Sequence, residues 1–233
     1  MAQIVQRIEM QRGGWNATGT AGTYCEIRAI QTKLNTADFD GTVTYYFEAS
    51  IHNSDTAGST TAYARLYNRT DGTAVSGSEV STTENDGYPQ RLRSGSISLS
   101  GDKVYTLQLK HSVNTSHTLS YSARIIVVQT GDITKTQIHH ELGYEMSSSS
   151  TSSTNRYEGT MKFLYESDRY DGTVTIKHAA VLTATSGNTT YSGLYDETAS
   201  SVVSNSTAST TSTYPTYSEI VKKVFTRFLR TKE

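Results

Sequence analysis

The chain carries one pattern twice. Asp40-Gly-Thr-Val-Thr recurs as Asp171-Gly-Thr-Val-Thr, 131 residues further on. The match extends to Phe39 against Tyr170, Leu66-Tyr67 against Leu194-Tyr195, and Tyr88-Pro89 against Tyr214-Pro215. The offset shrinks from 131 to 128 to 126 along the copy, the drift that small deletions in surface loops produce. Self-similarity on this scale implies two copies of one domain, and it constrains the architecture before any residue is read chemically.

Alternation identifies what is repeated. In Thr42 to Ile51, Val43, Tyr45, Phe47, Ala49 and Ile51 share one face, and Thr42, Thr44, Tyr46, Glu48 and Ser50 share the other. That is the period of a strand with one buried face. Leu119, Tyr121, Ala123, Ile125 and Val127 alternate in the same way, and the apolar Ile126 and Val128 between them suggest burial on both sides. Further strands are expected over 3–10, 24–32, 61–68, 90–99 and 103–111, separated by turn chemistry such as Asn53-Ser-Asp and Ser100-Gly-Asp. The expected fold class is all-β, with two tandem antiparallel sandwiches at 1–132 and 133–233. A jelly roll is the preferred topology and an immunoglobulin-like sandwich the alternative. The serine run 147–153 falls inside the second copy, opposite Trp15 to Thr20, and reads as a loop rather than a linker.

The second copy is shorter. Tyr88-Pro89 is followed by about 40 residues of its own copy, Tyr214-Pro215 by 18 residues in all. The expectation is a sandwich short of strands, completed by a neighbouring subunit or by a local substitute. Repeat logic makes the last segment a strand. Against it, Ile220, Val221, Val224, Phe225, Phe228 and Leu229 fall at helical spacing after Thr216-Tyr-Ser-Glu219, which has the form of a capping box. The periodicity favours an amphipathic helix over 217–233 that closes its domain or docks on another subunit. Ile220, Val224, Phe225, Phe228 and Leu229 are therefore the candidate assembly residues.

Composition narrows the function classes. A net charge of −1 argues against a general nucleic-acid binder, and about 29% Ser plus Thr suits soluble, uncharged strand faces. The start, Met-Ala-Gln-Ile-Val-Gln-Arg-Ile, has no signal-peptide form, so the expectation is a protein made and assembled inside a cell. No segment is apolar enough to span a membrane. One cysteine, Cys25, rules out an intrachain disulfide and reads as a small strand residue.

Motifs for catalysis do not occur: there is no phosphate loop, HExxH, CxxC or Gly-x-Ser-x-Gly. The expectation is a protein that is not an enzyme and needs no cofactor. His139 and His140 point to opposite faces if they lie in a strand, so they cannot share a metal. His178 replaces Phe47 on the inferred inward face. Asp38, Asp40, Asp168 and Asp171 beside their glycines offer oxygen ligands for calcium, although Asp-Gly is also ordinary turn chemistry. Tyr63, Tyr67, Tyr191 and Tyr195 could stack on sugar rings or simply serve as good strand residues. Five Asn-x-Ser/Thr triplets, at Asn16, Asn68, Asn114, Asn188 and Asn205, are of the number expected by chance in so Ser/Thr-rich a chain.

The run Ala64-Arg-Leu-Tyr-Asn-Arg-Thr-Asp-Gly-Thr-Ala-Val-Ser-Gly-Ser-Glu-Val-Ser, with Ser122-Ala-Arg-Ile-Ile-Val-Val-Gln, resembles the Ser/Thr-rich jelly-roll modules of tailed-phage structural proteins and related microbial surface modules. The resemblance covers the first copy well and the second weakly, and its motifs carry no catalytic residues. It implies a virion component, such as a capsid decoration or tail accessory protein, assembling with itself or with other subunits. An extracellular filament subunit joined by strand donation and a carbohydrate-binding module are the alternatives.

Overall fold

The computed structural model describes residues 3–17, 19–55, 60–85, 88–113, 117–138, 174–196 and 199–223. The chain divides into two compact units, Met1–His139 and His140–Glu233.

In the first unit, strands β1 (Gln3–Ala17), β2 (Cys25–Asn35), β3 (Thr42–Asn53), β4 (Ala62–Asn68), β5 (Thr73–Ala74), β6 (Val80–Thr82), β7 (Gln90–Ile97), β8 (Asp102–His111) and β9 (Thr118–Thr130) form two antiparallel sheets. One runs β1-β9-β3-β7, the other β2-β8-β4-β5, with β6 also on β4. The first strand thus pairs with the last, β2 with β8, β3 with β7, and β4 with the broken strand β5/β6. This nested pairing is the jelly roll, and the immunoglobulin-like alternative is set aside.

The alternation read from the sequence is the reason the sheets face each other. Tyr45, Phe47, Ala49 and Ile51 of β3 and Ala123, Ile125 and Val127 of β9 are buried against Tyr105, Leu107 and Leu109 of β8 and Ala62, Ala64 and Leu66 of β4. Each fully buried Leu, Ile or Phe contributes about 1.5–3 kcal/mol relative to exposure. Ile126 is also buried, on the opposite face of β9 beside Tyr46, whose ring is covered by the Arg93 guanidinium at 3.8 Å. Burial closes Tyr105 off from water as well and pushes its hydroxyl pKa up to about 12.

Loops at one end are tied by Asn53, which is fully buried. Its Nδ2 donates to the carbonyls of Thr60, Thr83 and Glu84, all at 2.9 Å, and its Oδ1 accepts the Asp55 amide at 2.9 Å.

The outer strands of this unit are irregular. The β1 register shifts between Glu9 and Gln11 and again between Arg12 and Trp15, and that of β2 between Ile27 and Gln31. In β7 the register breaks opposite Tyr46/Glu48, where the Ser94 hydroxyl accepts the Phe47 amide at 2.9 Å. Bulges of this kind, with Arg91 and Arg93 on β7, are how edge strands avoid pairing with other chains.

The second unit contains β10 (Thr175–Leu182), β11 (Thr190–Ser192), β12 (Tyr195–Asp196), β13 (Ser201–Val202), β14 (Ala208–Thr210) and β15 (Thr216–Lys223). Its pairings reproduce those of the first at the sequence offsets. Tyr191 pairs with Ser209 as Tyr63 does with Ser81, and Tyr195 with Val202 as Tyr67 does with Ala74. Ala180 pairs with Ser218 as Ala49 does with Leu92.

One expectation is corrected here. Thr216–Lys223 is a strand, not the start of a helix: it pairs with β10 over eight residues. Backbone pairing with β10 overrides a helical periodicity whose strongest members, Val224, Phe225, Phe228 and Leu229, lie outside the described residues.

Candidate functional site

Several charged side chains of the first unit pair with one another across its own sheets. Across β1, β9 and β3, Glu9, Arg124 and Glu48 stand in one row. Arg124 Nε lies 2.7 Å and Arg91 Nε 2.8 Å from Glu48 Oε1, while Arg124 also meets Glu9 at 3.1 Å. Burial alone would raise the Glu48 pKa, but the two guanidinium groups outweigh it and hold the carboxyl below its usual range. On the other sheet, Tyr24 donates to Glu79, and Arg65 covers the Tyr24 ring at 3.5 Å. Burial, followed by the Glu79 contact, raises the Tyr24 pKa. Arg69 meets Glu26 at 3.2 Å, and Lys103 meets Asp71 at 2.7 Å.

The calcium candidates are accounted for differently. Asp38 ends a short 3-10 turn, Thr36–Asp38. The Asp40 carboxylate accepts the amides of Thr134 and Lys135, each at 2.9 Å, together with the Thr134 hydroxyl. These contacts, the Thr134 hydroxyl first, lower its pKa. Gln129 Nε2 donates to the carbonyls of Asp40 at 3.0 Å and Lys135 at 2.8 Å. Asp40 therefore clasps the segment that leaves β9. Among the described residues, no three His, Cys, Asp or Glu side chains gather where they could hold a metal ion. Asp168, Asp171, His139 and His140 lie outside the described residues.

Cys25 opens β2 opposite Leu109 and is a half-buried free thiol. His178 sits on β10 opposite Ile220, with Nε2 3.0 Å from the Ser192 hydroxyl, and burial lowers its pKa.

The tyrosines divide between the copies. Lys110 stands 4.0 Å over the Tyr63 ring, while the equivalent Tyr191 is 62% exposed.

Of the assembly candidates, Ile220 is the one within the described residues. Sequence reasoning placed it on a helix face; it belongs to β15, the counterpart of the edge strand β7. The Tyr-Pro repeat at 88–89 and 214–215 carried that signal, since it sets 216–223 against 90–97. Unlike β7, β15 has no register shift along its pairing with β10. The core-facing positions Ile176, His178, Ala180 and Leu182 are half-buried, whereas their counterparts Tyr45, Phe47, Ala49 and Ile51 are buried.

This geometry defines an all-β protein whose first unit is a jelly roll and whose described strands 175–223 repeat part of it. No family model and no curated protein matches the chain. Among solved structures, it is similar to the VP2 subviral particle of infectious bursal disease virus at 15% identity, covering 55% of this chain and 33% of that one, with a TM-score of 0.36. The Gx strain of that virus matches at 13% identity over 56% of this chain and 32% of that one, again with a TM-score of 0.36. The similarity spans about a third of those viral chains.

Proposed function

We propose that the chain is a non-enzymatic structural subunit of a virion, a capsid decoration or tail accessory component that works through its surfaces. Jelly rolls recur in viral capsid and lectin domains, and the first copy resembles Ser/Thr-rich modules of tailed-phage structural proteins and related microbial surface modules. The observation that carries the reading is the contrast between the two units. The first has a filled core, bulged edges and ion-paired faces. In the second, the described strands keep the same pairings but leave their core-facing residues half-buried, as a surface completed by assembly would be. The residues proposed to make that contact are Ile220, Val224, Phe225, Phe228 and Leu229, with copies of the chain or other virion subunits as partners.

Light scattering on the full chain and on a chain ending at Lys223 tests this. Association that disappears with 224–233 supports the reading. A full chain that is a folded monomer, alone and with candidate virion partners, overturns it.

One observation favours a second reading, that of a carbohydrate-binding module. The Tyr191 ring is open where Tyr63 is covered, and exposed aromatic faces suit sugar stacking. Binding on a glycan array that is lost in Tyr191→Ala would support it, and an array without binding would remove it.

A further inference from the structure

We propose that His111 and His117 form a binding site for a first-row divalent transition ion such as zinc or copper. The chain supplies two imidazole ligands, and water completes the coordination. The site lies in the first unit, apart from the segment invoked for assembly, and it goes beyond the structural-subunit reading.

The backbone fixes both residues. His111 ends β8, where alternation continues the buried row of Tyr105, Leu107 and Leu109, and it pairs with Ala62 of β4. Its carbonyl accepts the Gly22 amide at 2.9 Å, and the next amide, that of Ser112, donates to the Thr61 carbonyl at 3.1 Å. His117 stands immediately before β9 and is tied to Ser54 twice. Its amide donates to the Ser54 hydroxyl at 2.8 Å, and its carbonyl accepts the Ser54 amide at 3.0 Å. The chain passes from one sheet to the other between these two residues, and each end of that passage is anchored. Ligands held by the scaffold in this way lose little freedom when an ion binds.

Two features of the rings point to a ligand. His111 is 1% exposed, yet neither of its ring nitrogens has a hydrogen-bond partner, and the buried Nδ1 of His117 has none either. Buried polar atoms are nearly always paired, and the lone pair of an imidazole nitrogen is what a metal ion takes. The separation is also right. The ring centroids are 6.1 Å apart and the ring planes meet at 83°. With nitrogen–metal bonds of about 2.0–2.1 Å, two imidazoles on one ion place their centroids about 4.5–6.5 Å apart. Imidazole nitrogen suits zinc, copper and nickel, whereas calcium takes a shell of oxygens. Cys25 is not a third ligand: it lies on β2 opposite Leu109, and among the described residues no three such side chains gather. The ion therefore keeps water in its remaining positions.

The test is calorimetric titration of the full chain with zinc chloride, and separately with calcium chloride. Zinc is expected to bind, and calcium is expected not to compete for its site. His111→Gln and His117→Gln should each weaken zinc at least about tenfold, since losing even an outer partner of a ligand costs about 10–100-fold. His117 is only half-buried, so its variant decides the matter even where His111→Gln disturbs the core. A variant with both His139→Gln and His140→Gln should bind as the parent does. A second readout counts ligands directly. In a Cys25→Ser background, which keeps the thiol from reducing the ion, pulsed EPR of bound Cu²⁺ should detect two imidazoles in the parent and one in His117→Gln. Three outcomes would each overturn the site: no zinc binding up to about 1 mM, binding that ignores the His117 substitution, or binding that is lost with His139 and His140. The two rings would then meet only as a packing contact. None of these outcomes bears on the structural-subunit reading, which is tested by association.

Discussion

Ser78 and Ser206 hold the same post in the two units. The Ser78 hydroxyl accepts the Leu66 amide at 3.1 Å, and the Ser206 hydroxyl accepts the Leu194 amide at 3.0 Å. Both side chains are buried. Each occupies the gap between the two short strands that face the Leu-Tyr strand, where a backbone amide would otherwise have no partner. Removing the hydroxyl leaves that amide unsatisfied, which costs about 1–3 kcal/mol. Ser78→Ala and Ser206→Ala should each destabilise their own unit by that amount. Urea unfolding followed by hydrogen exchange on each unit measures it, and an unchanged midpoint in both would refute the shared role.

One residue earlier the copies differ in chemistry and agree in shape. Gly77 has φ 74° and Asn205 has φ 58°, both in the left-handed region. Asn tolerates that region better than other non-glycine residues, whereas a residue such as Ala pays about 1–2 kcal/mol there. The expected stability order at both positions is Gly at least equal to Asn, and Asn above Ala. The Cβ of a residue at 77 would meet nothing nearer than Ile97 Cγ2 at 3.9 Å, so backbone conformation and not crowding sets the order. Thermal melts of Gly77→Asn, Gly77→Ala and Asn205→Ala are the check; Ala matching Asn at 77 would count against it.

These pairs show how far the repeat could be read. Its fixed points, Leu66-Tyr67 with Leu194-Tyr195 and Tyr88-Pro89 with Tyr214-Pro215, set 190–196 against 62–68 and 216–223 against 90–97, and the strands at those positions pair alike in the two units. Alternation in β3 and β9 identified the buried face because burial there is set by local period. The β5 and β6 strands escaped notice, being too short to show a period and held by Ser78, whose partners are backbone groups. β15 was misread because its helical spacing is carried mostly by residues beyond Lys223, and because its pairing belongs to β10 as much as to itself. The bulges that guard β7, and their lack in β15, are register relationships between strands, which a linear pattern does not encode.

Glu48 should make the first unit sensitive to acid. Its side chain is 5% exposed and sits between Arg124 and Arg91. Because the folded pKa is depressed, this contribution is fully present above the ordinary carboxyl value of 4.5 and is lost as pH falls through the folded value. Glu48→Gln should cost about 2 kcal/mol near neutrality, since Arg124 keeps only Glu9, and should flatten the loss of stability below that pH. Arg91→Ala, at an exposed side chain screened by solvent, should cost much less than Glu48→Gln. Unfolding free energies between neutral pH and pH 3 measure both, and an unchanged acid slope in Glu48→Gln would place the sensitivity elsewhere.

The Asp40-Gly41 pair fastens the chain where it leaves β9, and its two residues should fail in different ways. Gly41 has φ 73°, and a Cβ there would lie 2.6 Å from the Thr130 carbonyl oxygen, a backbone atom that cannot swing aside. Left-handed strain and crowding add, so Gly41→Ala should destabilise the whole first unit by roughly 2–5 kcal/mol. Asp40 contributes locally: its carboxylate holds the Thr134 and Lys135 amides and the Thr134 hydroxyl. Asp40→Ala should therefore leave the unfolding midpoint nearly unchanged while speeding amide exchange at Thr134 and Lys135 and exposing that stretch to proteases. The same release should occur without mutation as pH falls through the depressed Asp40 pKa, below the ordinary value of 3.8, because the lowered pKa marks a carboxylate whose bonds are lost on protonation. Exchange measured residue by residue distinguishes the two substitutions. Equal protection at Thr134 and Lys135 in Asp40→Ala and in the parent would mean that the segment is held by Gln129 alone.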